Sequence, residues 1–236
     1  MNIFMTGSTG YIARALAPVL LERGHSVRGL VRPWSVSKLP PGVTPVVGDA
    51  LDASTFVEHI APSDTFIQLV GVAHPSPAKA EQFRRVDLAS IHQSVRAAKM
   101  TSIAHFIYLS VAMPAPVMKD YIAVREEGER LLRWSGIPST FVRPWYVLGP
   151  GHWWPYAILP VYWIWGAFPS QRDTARRLYP VTLPQLVDAI IDAVESPADP
   201  LRIIEAPEMR TRVPASQSRR VAEASNRGLS SETLRL

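Results

Sequence analysis

Apolar positions along the chain recur in two periods that take turns. Ile3 to Thr6 is a short apolar run, and past a glycine turn the stretch Tyr11 to Arg23 sets Ile12, Leu16, Val19 and Leu20 on one helical face, with Gly24 placed as a C-cap. Ser26 to Val31 reads as a second strand, the VTPVV run around Val46 as a third and Thr65 to Val70 as a fourth. Between the last two, Asp52 is placed to cap a helix running through His59. A long helix from about Glu81 to Lys99 leads into a strand around Ile107, and a second from about Met118 to Ser135 leads into a strand ending at Arg143. Short buried strands joined by helices require parallel pairing, so the expected class is α/β with a doubly wound parallel sheet.

Beyond Pro144 the alternation loosens into an aromatic, proline-rich stretch. Thr182 and Gln185 stand at the spacing of a capping box and open a helix to about Val194, after which LRIIEA forms one more strand. The expected organisation is one domain over residues 1–206, with a short aromatic, lid-like insertion at about 150–180, and a poorly ordered tail over 207–236 with a short helix near Val221. The longest uncharged stretch, Trp153 to Phe168, is shorter than the roughly 20 residues a spanning helix needs, and it contains two prolines and a glycine. It reads as a lid over a pocket or as buried core; peripheral membrane contact is not favoured.

The 236 residues are 47% hydrophobic and 19% charged, which excludes a disordered or fibrous chain. With no Cys, disulfides, thiolate metal sites and a cysteine nucleophile are excluded as well. The net charge of +5 is spread along the chain, which suits a site for a small polyanion better than a nucleic-acid footprint. No basic, apolar leader opens the chain, so a cytoplasmic location is expected.

The candidate chemistry begins at Thr6-Gly7-Ser8-Thr9-Gly10-Tyr11-Ile12-Ala13, between the first strand and the first helix. The first glycine permits a tight turn, the second lets backbone N–H groups approach a pyrophosphate at the helix N-terminus, and Ala13 supplies the small side chain that helix-to-strand packing needs. A cofactor with a free ribose 2′-hydroxyl would want an acid at the end of the second strand, but the residue there is Arg32. An arginine forms charge-assisted bonds to a 2′-phosphate, so NADP(H) is expected in preference to NAD(H), with Arg14 in a position to assist.

These motifs, taken in order, resemble the short-chain dehydrogenase/reductase superfamily in its extended or atypical branch. The pattern covers about residues 1–205: TGxxGxxA, then Gly48-Asp49-Ala50-Leu51-Asp52, Leu69-Val70-Gly71-Val72, Leu109-Ser110-Val111, a tyrosine helix, and Arg143-Pro144-Trp145-Tyr146-Val147-Leu148-Gly149-Pro150-Gly151, similar to the family's RPxxVxGPG. The resemblance implies a Rossmann-type fold. It also implies that Asp49 and Ala50 lie on the adenine side, that Val70, Gly71 and Val72 line the cofactor, and that Pro144, Trp145 and Val147 lie near the nicotinamide.

In that family a tyrosine and a lysine four positions later share one helix face, and the lysine lowers the tyrosine pKa. The pair here is Tyr121 and Arg125, while Lys119 lies on a different face. The substrate-binding hydroxyl falls at Ser110, or is lost if the position is Val111. Two readings follow. In one, Tyr121 moves a proton during oxidoreduction of a small, rather apolar molecule, with Ser110 orienting the substrate and Arg125 tuning the tyrosine. In the other, the dinucleotide is held without turnover, in a redox-sensing or structural role.

Weaker signals complete the reading. His74 and His152 read as structural more readily than as substrate contacts, and Asp87, His92 and Arg96 read as ordinary surface polar groups of the long helix. No ligand spacing suggests a metal. Arg172, Arg176 and Arg177 stand ready for an anion beyond the aromatic stretch. A homodimer is implied by the resemblance alone.

Overall fold

The computed structural model describes residues 1–150 and 171–211. Four strands open the chain, the first followed by an α-helix and the next two by 3-10 turns. β1 (Asn2–Thr6) leads to α1 (Tyr11–Glu22), followed by β2 (Ser26–Val31), β3 (Thr44–Val47) and β4 (Thr65–Gln68). A continuous helical stretch follows, made of α2 (Ala80–Gln82), a π-helical turn (Phe83–Leu88) and α3 (Ala89–Met100). Next come β5 (His105–Leu109), α4 (Lys119–Ser135), β6 (Ser139–Arg143) and β7 (Val147–Leu148). The described chain closes with α5 (Arg172–Leu178), β8 (Val181–Thr182), α6 (Leu183–Glu195), β9 (Leu201–Glu205) and α7 (Ala206–Thr211).

Seven strands form one parallel sheet in the order β3-β2-β1-β4-β5-β6-β9, the doubly wound arrangement of a Rossmann fold. The chain steps outward from β1 to the β3 edge, then returns to pair β4 on the other side of β1. The crevice in which such sheets bind ligands therefore opens at the carboxyl ends of β1 and β4. Both faces are covered. α1 and α6 pack one face over Ile3, Met5, Ile67, Ile107 and Val142, and the aromatic residues stack on the other. Register accounts for that stack: Phe4 pairs with Phe66 and Phe66 with Phe106, so their rings meet at 5.2 and 4.8 Å across three neighbouring strands.

The local signals act as their chemistry demands. After α1, Gly24 adopts φ +80°, with the Gly24 N–H on Leu21 O and the His25 N–H on Leu20 O, a left-handed cap that a side chain would strain. At α6 the capping box closes in both directions, from Gln185 N–H to Thr182 Oγ1 and from Thr182 N–H to Gln185 Oε1. The helix expected from Asp52 to His59 is instead two 3-10 turns, Ala53–Thr55 and Val57–His59. Asp52 caps the first through Ser54, but Phe56 at φ −141° breaks the helical run to bury its ring against Phe4. The chain also stays helical past the expected tail boundary, because α7 runs to Thr211 and buries Ala206 and Met209. Residues 151–170 and 212–236, which include His152, the stretch Trp153 to Phe168 and the helix expected near Val221, lie outside the described residues. Among the described residues no helix is long and apolar enough to cross a membrane.

Candidate functional site

At the head of the crevice, Gly7 takes φ +69°, and a Cβ there would lie 2.8 Å from the Leu69 carbonyl carbon and 3.0 Å from Val70 N. Only glycine lets β1 turn this close to the end of β4. The Gly10 N–H closes the turn on Gly7 O at 2.9 Å, and Gly10 is the N-cap of α1 without a side chain to fill that role. No acidic residue occupies the first turn of this 12-residue helix. Its N-terminal N–H groups and the positive end of its dipole thus face the crevice, as a diphosphate requires. Ala13, 1% exposed, packs the helix down on the sheet. Gly10 is exposed and Thr9, Tyr11 and Ile12 are half-buried, whereas Ser8 is buried and its hydroxyl donates to Met5 O at 2.6 Å. Beneath the turn, Thr6 bonds Gln68, and the Gln68 amide in turn holds Ser90 and Ser94. This buried network locks β1 and β4 to α3, and periodicity gave no sign of it.

Arg32 is exposed at the end of β2, and its guanidinium lies 5.3 Å from the ring centre of Trp34, itself 70% exposed on the following 3-10 turn. After β3, Asp49 Oδ1 accepts from Leu51 N–H and the Asp49 N–H donates to Thr55 Oγ1. Asp49 and Ala50 are therefore fixed by their own turn beside the crevice.

The β4, β5 and α4 corner departs from expectation. Asp87 is buried rather than at the surface, and Arg125 meets its Oδ1 at 2.5 Å, with side-chain exposures of 0 and 4%. The same guanidinium donates to Leu109 O at 2.9 Å and to Val70 O at 3.5 Å, while the Val72 N–H donates to the other Asp87 oxygen at 3.0 Å. Burial pushes the Asp87 carboxyl above the usual range, against the pull of Arg125 and the Val72 N–H. Burial works against the Arg125 charge too, but the surrounding Tyr121, Tyr108 and Asp87 outweigh it and keep the guanidinium protonated. Tyr121, half-buried on α4, rests its ring against Phe83 at 5.0 Å and lies 5.1 Å from the Arg125 guanidinium.

Ser110 is likewise engaged inside the fold. Its hydroxyl donates to Glu129 Oε1 at 2.7 Å, and Glu129 is also gripped by Arg143 through Nε at 2.7 Å and Nη2 at 2.5 Å. Arg143 continues to Glu205 at 3.1 Å, joining α4, β5, β6 and β9. Val111 beside it is 3% exposed.

The far wall is aromatic. Pro144 is buried and its carbonyl accepts from Ala112 N–H, and the rings of Trp145 and Tyr146 meet at 5.4 Å. Trp145 and Tyr179 pack on Ala112 and Leu178. Val147 pairs with Val181 in the small β7–β8 ribbon, and Gly149 beyond it leaves room for the Tyr11 hydroxyl, which a Cβ there would strike. Arg177 donates to Pro114 O, whereas Arg172 and Arg176 are exposed. His74, at φ 50°, and Ala73 offer their carbonyls to Lys79 Nζ, while His92 and Arg96 lie on the exposed face of α3. Among the described residues no group of three or more His, Asp or Glu side chains gathers as a metal centre would need.

Comparison with known proteins agrees with this arrangement. The family described as NAD(P)H-binding matches residues 7–150. A 4-hydroxy-2-methyl-3-oxo-4-farnesyl-3,4-dihydroquinoline-1-oxide ketoreductase of Stigmatella aurantiaca is 28% identical over 197 residues, covering 80% of this chain and 55% of that one. A chloroplastic divinyl chlorophyllide a 8-vinyl-reductase of Oryza sativa subsp. indica is 30% identical over 159 residues, covering 61% of this chain and 39% of its own. The chain thus spans about half the length, or less, of these curated relatives. Among solved structures, a short-chain dehydrogenase/reductase superfamily protein from Agrobacterium tumefaciens with bound NAD superposes with a TM-score of 0.63 at 18% identity, over 87% of this chain and 77% of that one. With its glycine turn at the switch point of a seven-strand parallel sheet, the chain belongs to the NAD(P)H-binding family.

Proposed function

We propose that the protein binds NADPH in preference to NADH and serves as a reductase for a small, rather apolar substrate. The observation that carries this reading is the cradle at Gly7 and Gly10, a space a Cβ would fill, at the open N-terminus of α1. Gly7, Thr9, Gly10, Tyr11 and Ile12 hold the diphosphate through backbone N–H groups and close approach, and Ser8 contributes its backbone alone because its hydroxyl is engaged. Arg32 meets the 2′-phosphate, Asp49 and Ala50 flank the adenine, and Val70, Gly71 and Val72 form the wall beyond the diphosphate. Pro144, Trp145 and Val147 bound the nicotinamide end. When bound, the nicotinamide supplies hydride to the substrate. Tyr121 supplies the proton, and Trp145, Tyr146 and Tyr179 shape an apolar approach. Two relatives named as reductases support the reaction class.

A second reading, dinucleotide binding without turnover, is favoured by one observation. The two groups expected to assist Tyr121, Ser110 and Arg125, are both held by buried carboxylates. Titration with NADPH and NADH, followed by a panel of apolar carbonyls and quinones, separates the two. Oxidation of bound NADPH upholds the reductase, and tight binding without oxidation upholds the second reading. Replacement Arg32→Ala is expected to lower the NADPH-to-NADH affinity ratio by about tenfold or more, the worth of a charge-assisted bond. An unchanged ratio removes the preference for NADP.

A further inference from the structure

Two pairs of residues interleave where the helix before β5 crosses α4. Phe83 and Asp87 stand one turn apart on the π-helical segment Phe83–Leu88, and both are buried. Tyr121 and Arg125 stand one turn apart on α4. The rings of Phe83 and Tyr121 meet, and one turn along Asp87 meets Arg125. A π-turn aims side chains differently from an α-helix at the same spacing, and such turns concentrate at functional sites.

The Asp87–Arg125 pair does not sit anonymously in the core. It touches the backbone of the Val70 to Val72 segment twice, through Val70 O and the Val72 N–H, and the end of β5 once, through Leu109 O. Between the two contacts on the segment lies Gly71, where a Cβ would point inward and stop 2.5 Å from Arg125 Nη2. The segment is therefore seated directly on the guanidinium, at the carboxyl end of β4 that borders the ligand crevice.

We propose that Asp87 and Arg125 are positioning residues, an internally neutral pair that fixes the Val70–Val72 backbone as a wall of the dinucleotide site and supports the Tyr121 ring above it. This rests on the dinucleotide-binding reading and deepens it. Arg125 then acts through the backbone it holds rather than as a cation offered to the ligand, and Asp87 sets its direction.

The two roles predict opposite signs. If Arg125 served the anionic ligand by charge, Asp87→Asn would unmask a cation and tighten NADPH binding. If the pair positions the wall, Asp87→Asn loosens it and weakens binding, and Arg125→Lys, which keeps the charge but loses the fork, weakens it too. We expect the NADPH dissociation constant to rise about tenfold in each, measured by fluorescence titration well below each variant's melting temperature. Gly71→Ala, with both charges kept and its methyl directed at the guanidinium, is expected to weaken binding to a similar degree, and it serves where Asp87→Asn fails to fold. Unchanged or tighter binding by Asp87→Asn, or unchanged binding by Gly71→Ala, overturns the proposal. A wild-type protein that binds neither NADPH nor NADH overturns the dinucleotide reading itself, a separate result.

Discussion

The two ends of the crevice are made of different material. The phosphate turn from Thr6 to Ala13 presents backbone: glycines with no side chain, an uncapped helix start, and the hydroxyls of Thr6 and Ser8 turned inward. The corner formed by β4, β5 and α4 is made of side chains, and the two polar ones expected to assist Tyr121 already have protein partners, Asp87 for Arg125 and Glu129 for Ser110. A backbone site is ready for a ligand because peptide groups at a helix start have no internal partner to lose. A side-chain site competes with the protein's own charges, and here those charges win.

The sharpest way to break that contrast is Gly7→Ala. It forces a Cβ into a left-handed conformation and against the Leu69 carbonyl, so it should cost about 4 kcal/mol of stability, from about 1–3 for strain plus a similar amount for overpacking. Urea unfolding checks this, and a loss below about 1 kcal/mol would mean the turn has slack. A control lies at the opposite end of the sheet, where buried His105 contacts Thr140. Burial first, and Arg202 second, lower its pKa from 6.5 to about 4. The imidazole is neutral when folded, so the unfolded chain takes up the proton first and stability is lost as pH falls from about 6.5 to about 4. At about 1.4 kcal/mol per unit the loss approaches about 3 kcal/mol. His105→Gln should remove that portion of the acid sensitivity while leaving the behaviour above pH 7 flat. The smallest effect is expected from Ser110→Ala, about 1 kcal/mol of stability for one hydrogen bond to a carboxylate that Arg143 still holds. Turnover should stay within about threefold, whereas a hundredfold loss would return Ser110 to the reacting centre.

What the sequence made legible follows the same division. The alternating elements, the Gly24 cap, the Thr182–Gln185 box and the glycine turn are encoded within a few neighbouring residues, and, the stretch after Asp52 apart, they stand where the pattern puts them. Ser110 is paired with a residue 19 positions away and Arg125 with one 38 away, separations at which periodicity carries no information. Asp87 departs furthest from the sequence pattern. It shares a helical stretch with exposed His92 and Arg96 and so looked like a surface group, but the π-turn directs it inward beside Phe83. The helix expected after Asp52 failed because burial of Phe56 outweighed a correct cap signal.

The outermost strand has a consequence for how this protein keeps company with itself. Gly48 N–H donates to Val31 O, so by the two-residue alternation of a strand the amide position of Pro45 faces outward along the margin of β3, where no further strand pairs among the described residues. Proline has no hydrogen to give there. A neighbouring chain trying to extend the sheet past β3 would find its ladder interrupted at the second of four residues, next to the half-exposed Val47 that would otherwise invite it. In a crowded solution, that one missing hydrogen guards against edge-to-edge aggregation.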